Sequence, residues 1–343
     1  MKKISIFTKR AVLLLVMVLC LSIFLRGGLS TYVNAASPAD NGRGETEFAG
    51  GTGVEADPYQ IATAEQLSLL SSKNETYMDK CFVLKNDIDL AQTTWTPVTS
   101  FTGILDGSNH KITGLKIGSS DAHAEMKNKP TGLFGSVSGT IRNLTVGAEI
   151  YVSDESTYTG IGILAGNLFG VLDNCRTEGS INVSRTNAYV GGIAGYAGGG
   201  SKITNCCNRA AVSASGSTTT ENVTRVGGII GAYVVTSSEE DNSILANTCN
   251  HGTVTATNGC QPRVGGICGW IENNSATANL CIYNCYNVGV VAVTGYTDSK
   301  GHISGFAGNS VGTGTREIQC TYSAIECEDF SSGNLKNPWP PVG

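Results

Sequence analysis

The chain has 343 residues, 23 of them basic and 28 acidic, with 41% hydrophobic residues, 15% charged residues and 44 glycines. That much apolar content excludes an intrinsically disordered chain, and the Gly, Ser, Thr, Asn and Val bias is that of strands and turns. The acidic balance disfavours nucleic acid and anionic membranes as partners.

Lys2, Lys3, Lys9 and Arg10 precede an apolar run from Ala11 to Leu25 and a polar stretch ending Val33-Asn34-Ala35. This reads as a secretory signal peptide over residues 1–35. The run is short of the roughly 20 residues needed to cross a bilayer. Cys20 is not read as a lipidation site, because the preceding Val18-Leu19 are too bulky. Loss of the signal removes five basic residues and no acidic ones, leaving 18 against 28 and a net charge of −10. The mature chain is therefore expected outside the cell, without membrane insertion.

Residues 36–53 read as a flexible leader and 54–130 as an amino-terminal cap with the first coils. Thr63-Ala64-Glu65-Gln66 matches a capping box, with Leu67 and Leu70 on one face of a short helix through about Ser72. A solenoid needs such a cover over its open end. Strands are expected at 81–84, 102–105 and 111–117.

From residue 131 to 327 two motifs alternate. "TGLFG", "GILAG", "GGIAG", "GGIIG", "GGICG" and "SGFAG" end at Gly135, Gly166, Gly195, Gly231, Gly269 and Gly308, at intervals of 31, 29, 36, 38 and 39 residues. Each is followed by an apolar residue, Asn two places on, a turn and an alternating strand, as in "LDNCRTEGSINV"; the last copy, "IQCTYSAIECED", lacks the Asn. Such self-similarity signals a repeat architecture. The shortest unit is too small for a four-stranded propeller blade. The fold expected is all-β: a right-handed parallel β-helix of about six to eight coils, three strands to a coil, with a short amino-terminal capping helix. Leu133, Leu164, Ile193, Ile229, Ile267 and Phe306 are expected to stack inward. Asn143, Asn174, Asn205, Asn247 and Asn284 are expected to form a corner ladder, where Asn tolerates left-handed backbone. A phosphate-binding glycine loop is needed once, before a helix, so the repeated glycines are scaffold. Residues 328–343 read as a carboxy-terminal tail.

"GTGVEADPYQIATAEQL", "KNDIDL", "FTGILDGSNHKITGLKI" and "GLFGSVSGTIRNLTV", with the later "GGIAG" units, resemble bacterial extracellular proteins that carry GLUG-type repeats. The resemblance covers about residues 51–325. It implies a secreted or surface-displayed β-helix, often one module of an adhesin or an accessory region beside a peptidase domain, IgA-cleaving metallopeptidases included. It supplies no catalytic residues. The chain carries no sortase signal and stops at "NPWPPVG", which reads as a released protein or one piece of a longer reading frame.

Three constellations bear on chemistry. Asp87 and Asp89, two apart on one strand face, could join Asp106 as a carboxylate set for glycoside hydrolysis or calcium. The alternative reading gives them local hydrogen bonds in turns, and no cluster of Arg or Lys for an acidic polysaccharide stands out. The four histidines are scattered without a His-Glu-x-x-His pattern, so neither a peptidase nor a metal site is expected. The mature chain has 11 cysteines: Cys175, Cys206 and Cys285 share the slot after the repeat Asn, Cys249 lies one place off it, and Cys268 with Cys281 could close a long insert. No paired zinc knuckle occurs, and no cofactor is expected.

The function expected is non-catalytic: adhesion, or binding of a glycan or a host or neighbour-cell protein. Contact regions are expected at inserts 232–243, 270–280 and 296–301, together with Tyr196, Tyr233 and Trp270, which read either as coil packing, the favoured role, or as exposed platforms for a sugar. A β-helical polysaccharide lyase or hydrolase and a passive spacer are the rival readings.

Overall fold

The computed structural model describes residues 47–154, 159–185, 187–216, 223–257, 262–295, 302–319, 321–323 and 328–329. The signal peptide, the insert at 296–301 and the tail beyond 329 lie outside the described residues.

The chain winds as a parallel β-helix. Four ladders of 5, 7, 9 and 12 strands run along it. One coil shows the path: Tyr189–Gly191 on the five-stranded face, Ala194–Ala197 on the seven-stranded, Lys202–Thr204 on the nine-stranded, and Cys207–Asn208 with Ala211–Ser215 on the twelve-stranded. All the pairings between these strands are parallel, one coil to the next. Four strand faces per coil replace the three expected, because Gly192-Ile193 bends the chain between two short strands. Nine strands stack in the longest regular face, more than the six to eight coils expected, since the block before residue 131 supplies rungs at Tyr59–Ile61, Cys81–Leu84 and Ile104–Asp106.

The register places like on like. Leu105, Ile141, Leu172, Ile203, Leu245 and Ile282 form one column, each 0% exposed. Leu133, Leu164, Ile193, Ile229, Ile267 and Phe306 are all buried as expected. Each aliphatic side chain removed from water contributes on the order of 1.5–3 kcal/mol, so these columns drive coil stacking.

The glycines beside them have a separate cause. A Cβ on Gly195 would lie 2.0 Å from the Ile161 nitrogen of the preceding coil, and one on Gly192 would lie 2.3 Å from the Gly228 carbonyl of the next. Neither has a positive φ. Close approach of coils, rather than left-handed backbone, requires glycine here.

Asparagine handles the corners. Asn143, Asn174, Asn205, Asn247 and Asn284 have φ between 51° and 56°. Asn174 Nδ2 donates to Asn143 Oδ1 at 2.9 Å, and Asn284 Nδ2 to Asn247 Oδ1 at 2.7 Å. A second ladder, not expected, runs inside: Thr177, Asn208, Asn250 and Asn287 are fully buried, and Asn208 Nδ2 and Asn250 Nδ2 each donate at 2.8 Å to the next Asn Oδ1. These amides also close their own turns, as Asn250 does through the Gly252 carbonyl and amide. They press against the glycine corner, since a Cβ on Gly228 would meet Asn250 Cγ at 2.3 Å.

The helix Ala64–Ser72 caps this end, with Thr63 Oγ1 accepting from the Gln66 amide and Leu67 and Leu70 buried. Gln66 reaches back to the Ala62 amide at 2.7 Å, one residue before the expected box partner. The leader needs correction. Phe48 is 3% exposed and stacks on Tyr59 at 4.7 Å, with Tyr77, Phe82 and Phe101 continuing the aromatic cluster. Burial of one aromatic ring holds residues 47–53 that composition assigned to a flexible segment. The strand expected at 102–105 begins only at Ile104, as Ile104–Asp106, because a corner at Thr102-Gly103 separates it from Val98–Phe101.

Candidate functional site

Outward-alternating positions of the five- and seven-stranded faces carry stacked aromatic and arginine side chains, packed closely enough that Arg263 is only 8% exposed. Tyr189, Arg225, Arg263 and His302 occupy one register position on successive coils. On the neighbouring face Tyr196, Ala232 and Trp270 occupy another. The alternation that turns Val190, Val226 and Val264 inward turns their neighbours outward. The Arg225 guanidinium carbon lies 5.1 Å from the Tyr189 ring centre and 4.7 Å from that of Trp270, and Arg263 lies 6.0 Å from Trp270. Tyr196 sits 5.6 Å from Tyr189 and 5.9 Å from Phe169, which is 45% exposed. Desolvation by partial burial, with Tyr189, Glu239 and Glu272 nearby, raises the Tyr196 phenol to about 12, so it is neutral at ordinary pH. Cations over ring faces within about 6 Å attract them by up to about 2 kcal/mol each. The Trp270 indole donates to Glu272 at 2.9 Å, fixing its ring.

Tyr196 and Trp270 are thus half-buried on the outer face. Tyr233 is not. It is 0% exposed and its hydroxyl donates to the Ser201 carbonyl at 2.6 Å. It pairs with Ala197 and Ile271, one residue out of step with Tyr196 and Trp270; a one-residue offset on a strand reverses the face. The absence of an arginine cluster is also corrected. The signal was present as the residue before Val-Gly-Gly in "YVGG", "RVGG" and "RVGG", legible once the copies are superposed on their glycines.

The inserts at 232–243 and 270–280 stack on one another. Ser275 Oγ donates to the Glu239 carbonyl at 2.7 Å, and the Asn279 amide to Asn242 Oδ1 at 2.8 Å. They form an acidic shoulder beside the strip, with residues 236–238 and 240–242 exposed.

The carboxylates are occupied by local structure. Asp87 Oδ1 accepts from the Lys111 amide at 2.9 Å and contacts His110 Nδ1 at 3.1 Å. Asp89 Oδ1 accepts from the Ala91 amide at 2.9 Å. Asp106 accepts from the Ser108 amide, Asn143 Nδ2 and Arg142 Nε at 2.8, 3.1 and 2.8 Å. The amide of Lys111 and the His110 ring lower the Asp87 carboxyl. Partial burial alone would raise Asp106, but its three donors outweigh it and lower the group. A general acid in glycoside hydrolysis needs the opposite shift.

The cysteines divide by face. Cys175, Cys206 and Cys285 are buried in the inward slot, with Thr248 completing the column. Cys268 is buried while half-buried Cys281 pairs along the nine-stranded face, and both are free thiols. The suggested closure between them is absent. Against the expectation of no metal-ligating set, Cys207, Cys249 and His251 present ligand atoms all within 4.8 Å of one another. A hydrogen bond from the Cys207 thiol, helped by Tyr286 and His251 and opposed by burial, lowers the Cys249 thiol to about 6, and the same bond raises Cys207. A cavity of about 540 Å³ lies elsewhere, between Trp95, Pro97, Ile117 and Pro130.

No family model matches the chain. It is 33% identical over 143 residues to a "Putative Gly-rich membrane protein" of Evansella cellulosilytica, a match spanning 38% of this chain and 16% of that protein. It is 28% identical over 191 residues to "Halomucin" of Haloquadratum walsbyi, spanning 50% of this chain and 2% of that one. The chain therefore spans a small part of the length of both relatives. Among solved structures, that of a "putative immunoglobulin A1 protease" from Bacteroides ovatus superposes with a TM-score of 0.62 at 24% identity, covering 85% of this chain and 84% of the other. That likeness establishes the shared fold. Among the described residues no helix is long and apolar enough to cross a membrane.

Proposed function

We infer that this chain is a secreted or surface-displayed β-helical binding module of the GLUG-repeat type. Its aromatic–arginine strip takes an anionic glycan, one carrying carboxylate or sulfate groups. The observation that carries this reading is the Arg225 guanidinium held between the Tyr189 and Trp270 rings across successive coils. Stacked aromatic faces suit the apolar face of a sugar ring, and guanidinium groups suit planar anions. Tyr196 and Trp270 sit two coils apart in one column, about 9.6 Å at 4.8 Å per coil, so the strip offers periodic contacts along a polymer. The signal peptide and the extracellular family resemblance support the location. The lowered carboxylates, already engaged in turns, favour binding over hydrolysis by Asp87 or Asp106.

The test is a glycan array followed by titration with a matched pair of polysaccharides, one anionic and one neutral. The anionic member should bind, and Trp270→Ala or Arg225→Ala should weaken it about tenfold or more, as loss of one stacking or charged contact of about 1.4 kcal/mol would. Turnover of the glycan that is lost in Asp106→Ala would support the lyase or hydrolase reading. No binding to any glycan or cell would leave the chain a spacer.

A further inference from the structure

On the twelve-stranded face, away from the aromatic strip, we propose that Cys207, Cys249 and His251 bind one zinc ion that staples two adjacent coils. The register builds this set. Cys207 pairs directly with Cys249, and Asn208 with Asn250. Because the two asparagines turn inward into the buried ladder, strand alternation turns the cysteines outward. His251 follows Cys249 by two residues, so it shares the outer side. Its amide donates to the Asn208 carbonyl at 2.8 Å, which pins the residue beside the Cys207 coil.

The chemistry fits zinc. Thiolate and imidazole are its preferred donors, at about 2.3 and 2.0–2.1 Å in tetrahedral geometry. Those lengths set ligand atoms about 3.5–3.8 Å apart, reachable from a cluster already within 4.8 Å. The two cysteines are half-buried and His251 is exposed, so the ion enters from solvent without the coils opening. Three protein ligands leave a fourth position for water. The hydroxyl of Tyr286, next in the cysteine column, lies 3.4 Å from His251 Nε2 and holds that ring as an outer partner. Binding replaces two thiol protons with the metal and releases both, with no change of oxidation state. Hard oxygen-preferring cations have no matching donors here.

The full secreted chain, purified without chelator and then loaded with zinc chloride, should retain about one equivalent of metal after desalting. Cobalt(II) in its place should give thiolate-to-metal and tetrahedral d–d absorption bands. Cys249→Ser and His251→Ala should each lose the retained metal and the bands, while Cys281→Ser, on another face, keeps them. His251 is exposed, so its variant tests ligation even if a cysteine variant misfolds. Zinc should raise the melting temperature of the wild type and leave His251→Ala unmoved. A Cys207–Cys249 disulfide in the freshly secreted protein, or metal retained equally by Cys249→Ser and His251→Ala, would overturn the proposal. So would a wild type that retains no zinc.

Discussion

Asp106 shows how far a single residue's environment reverses its apparent role. In the sequence it completes a carboxylate trio; in the fold its three donors tie two coils together through Arg142 and Asn143. Its carboxyl is lowered in the folded chain, so its stabilisation is fully present above the unfolded carboxylate value near 3.9 and is lost as pH falls through the folded value. Asp106→Asn should therefore melt lower than wild type at pH 7, and the gap should narrow as pH falls below the unfolded carboxylate value. Melting curves across that range check this, and an equal gap at both ends would refute it. Tyr233 makes the complementary point. Its hydroxyl bonds the Ser201 carbonyl in the core, so Tyr233→Phe should cost about 1–2 kcal/mol of stability while leaving ligand binding unchanged.

At the scale of elements, the glycine corner and the inner asparagine ladder are one device. Gly192, Gly228 and Gly266 give the space into which Asn208, Asn250 and Asn287 fit. Gly228→Ala should destabilise by about 3 kcal/mol, since its Cβ would fall 2.1 Å from the Gly266 carbonyl of the next coil. Asn250→Ala should cost a similar amount by orphaning partners on two coils. Denaturant unfolding of both variants measures these losses; values near zero would show that coil stacking does not depend on the corner. The outer ladder and aliphatic columns were legible because each repeat states them at a fixed offset. The inner ladder is equally regular, as "CN", "CN" and "YN", but its asparagines lie in a strand with no positive φ, so no corner signal marks them. Cys249 stands one place off the cysteine slot. That Cys207 stands in the same offset slot, and so faces it, follows only from pairing the coils. The corner at Thr102-Gly103 was not legible, because one made by close approach leaves no distinctive local signal beyond one glycine.

For the whole molecule, the parallel helix turns weak one-dimensional periodicity into long surface columns. Repeats of unequal length still bring Tyr189, Arg225 and Arg263 into line, because inserts leave at the corners and the ladders stay in register. Ile193→Asp would place an unpaired charge in a fully buried column and should prevent folding of the central coils. The acidic chain thus carries a local strip of stacked aromatic and arginine side chains that its net charge conceals. Calorimetric titration of wild type and Arg225→Ala with an anionic polysaccharide and its neutral counterpart tests that strip most directly. Wild type should bind the anionic polymer alone, with affinity falling as salt rises, and Arg225→Ala should bind it at least about tenfold more weakly. Equal binding of both polymers, or unchanged affinity in Arg225→Ala, would contradict an anionic-glycan site on this face.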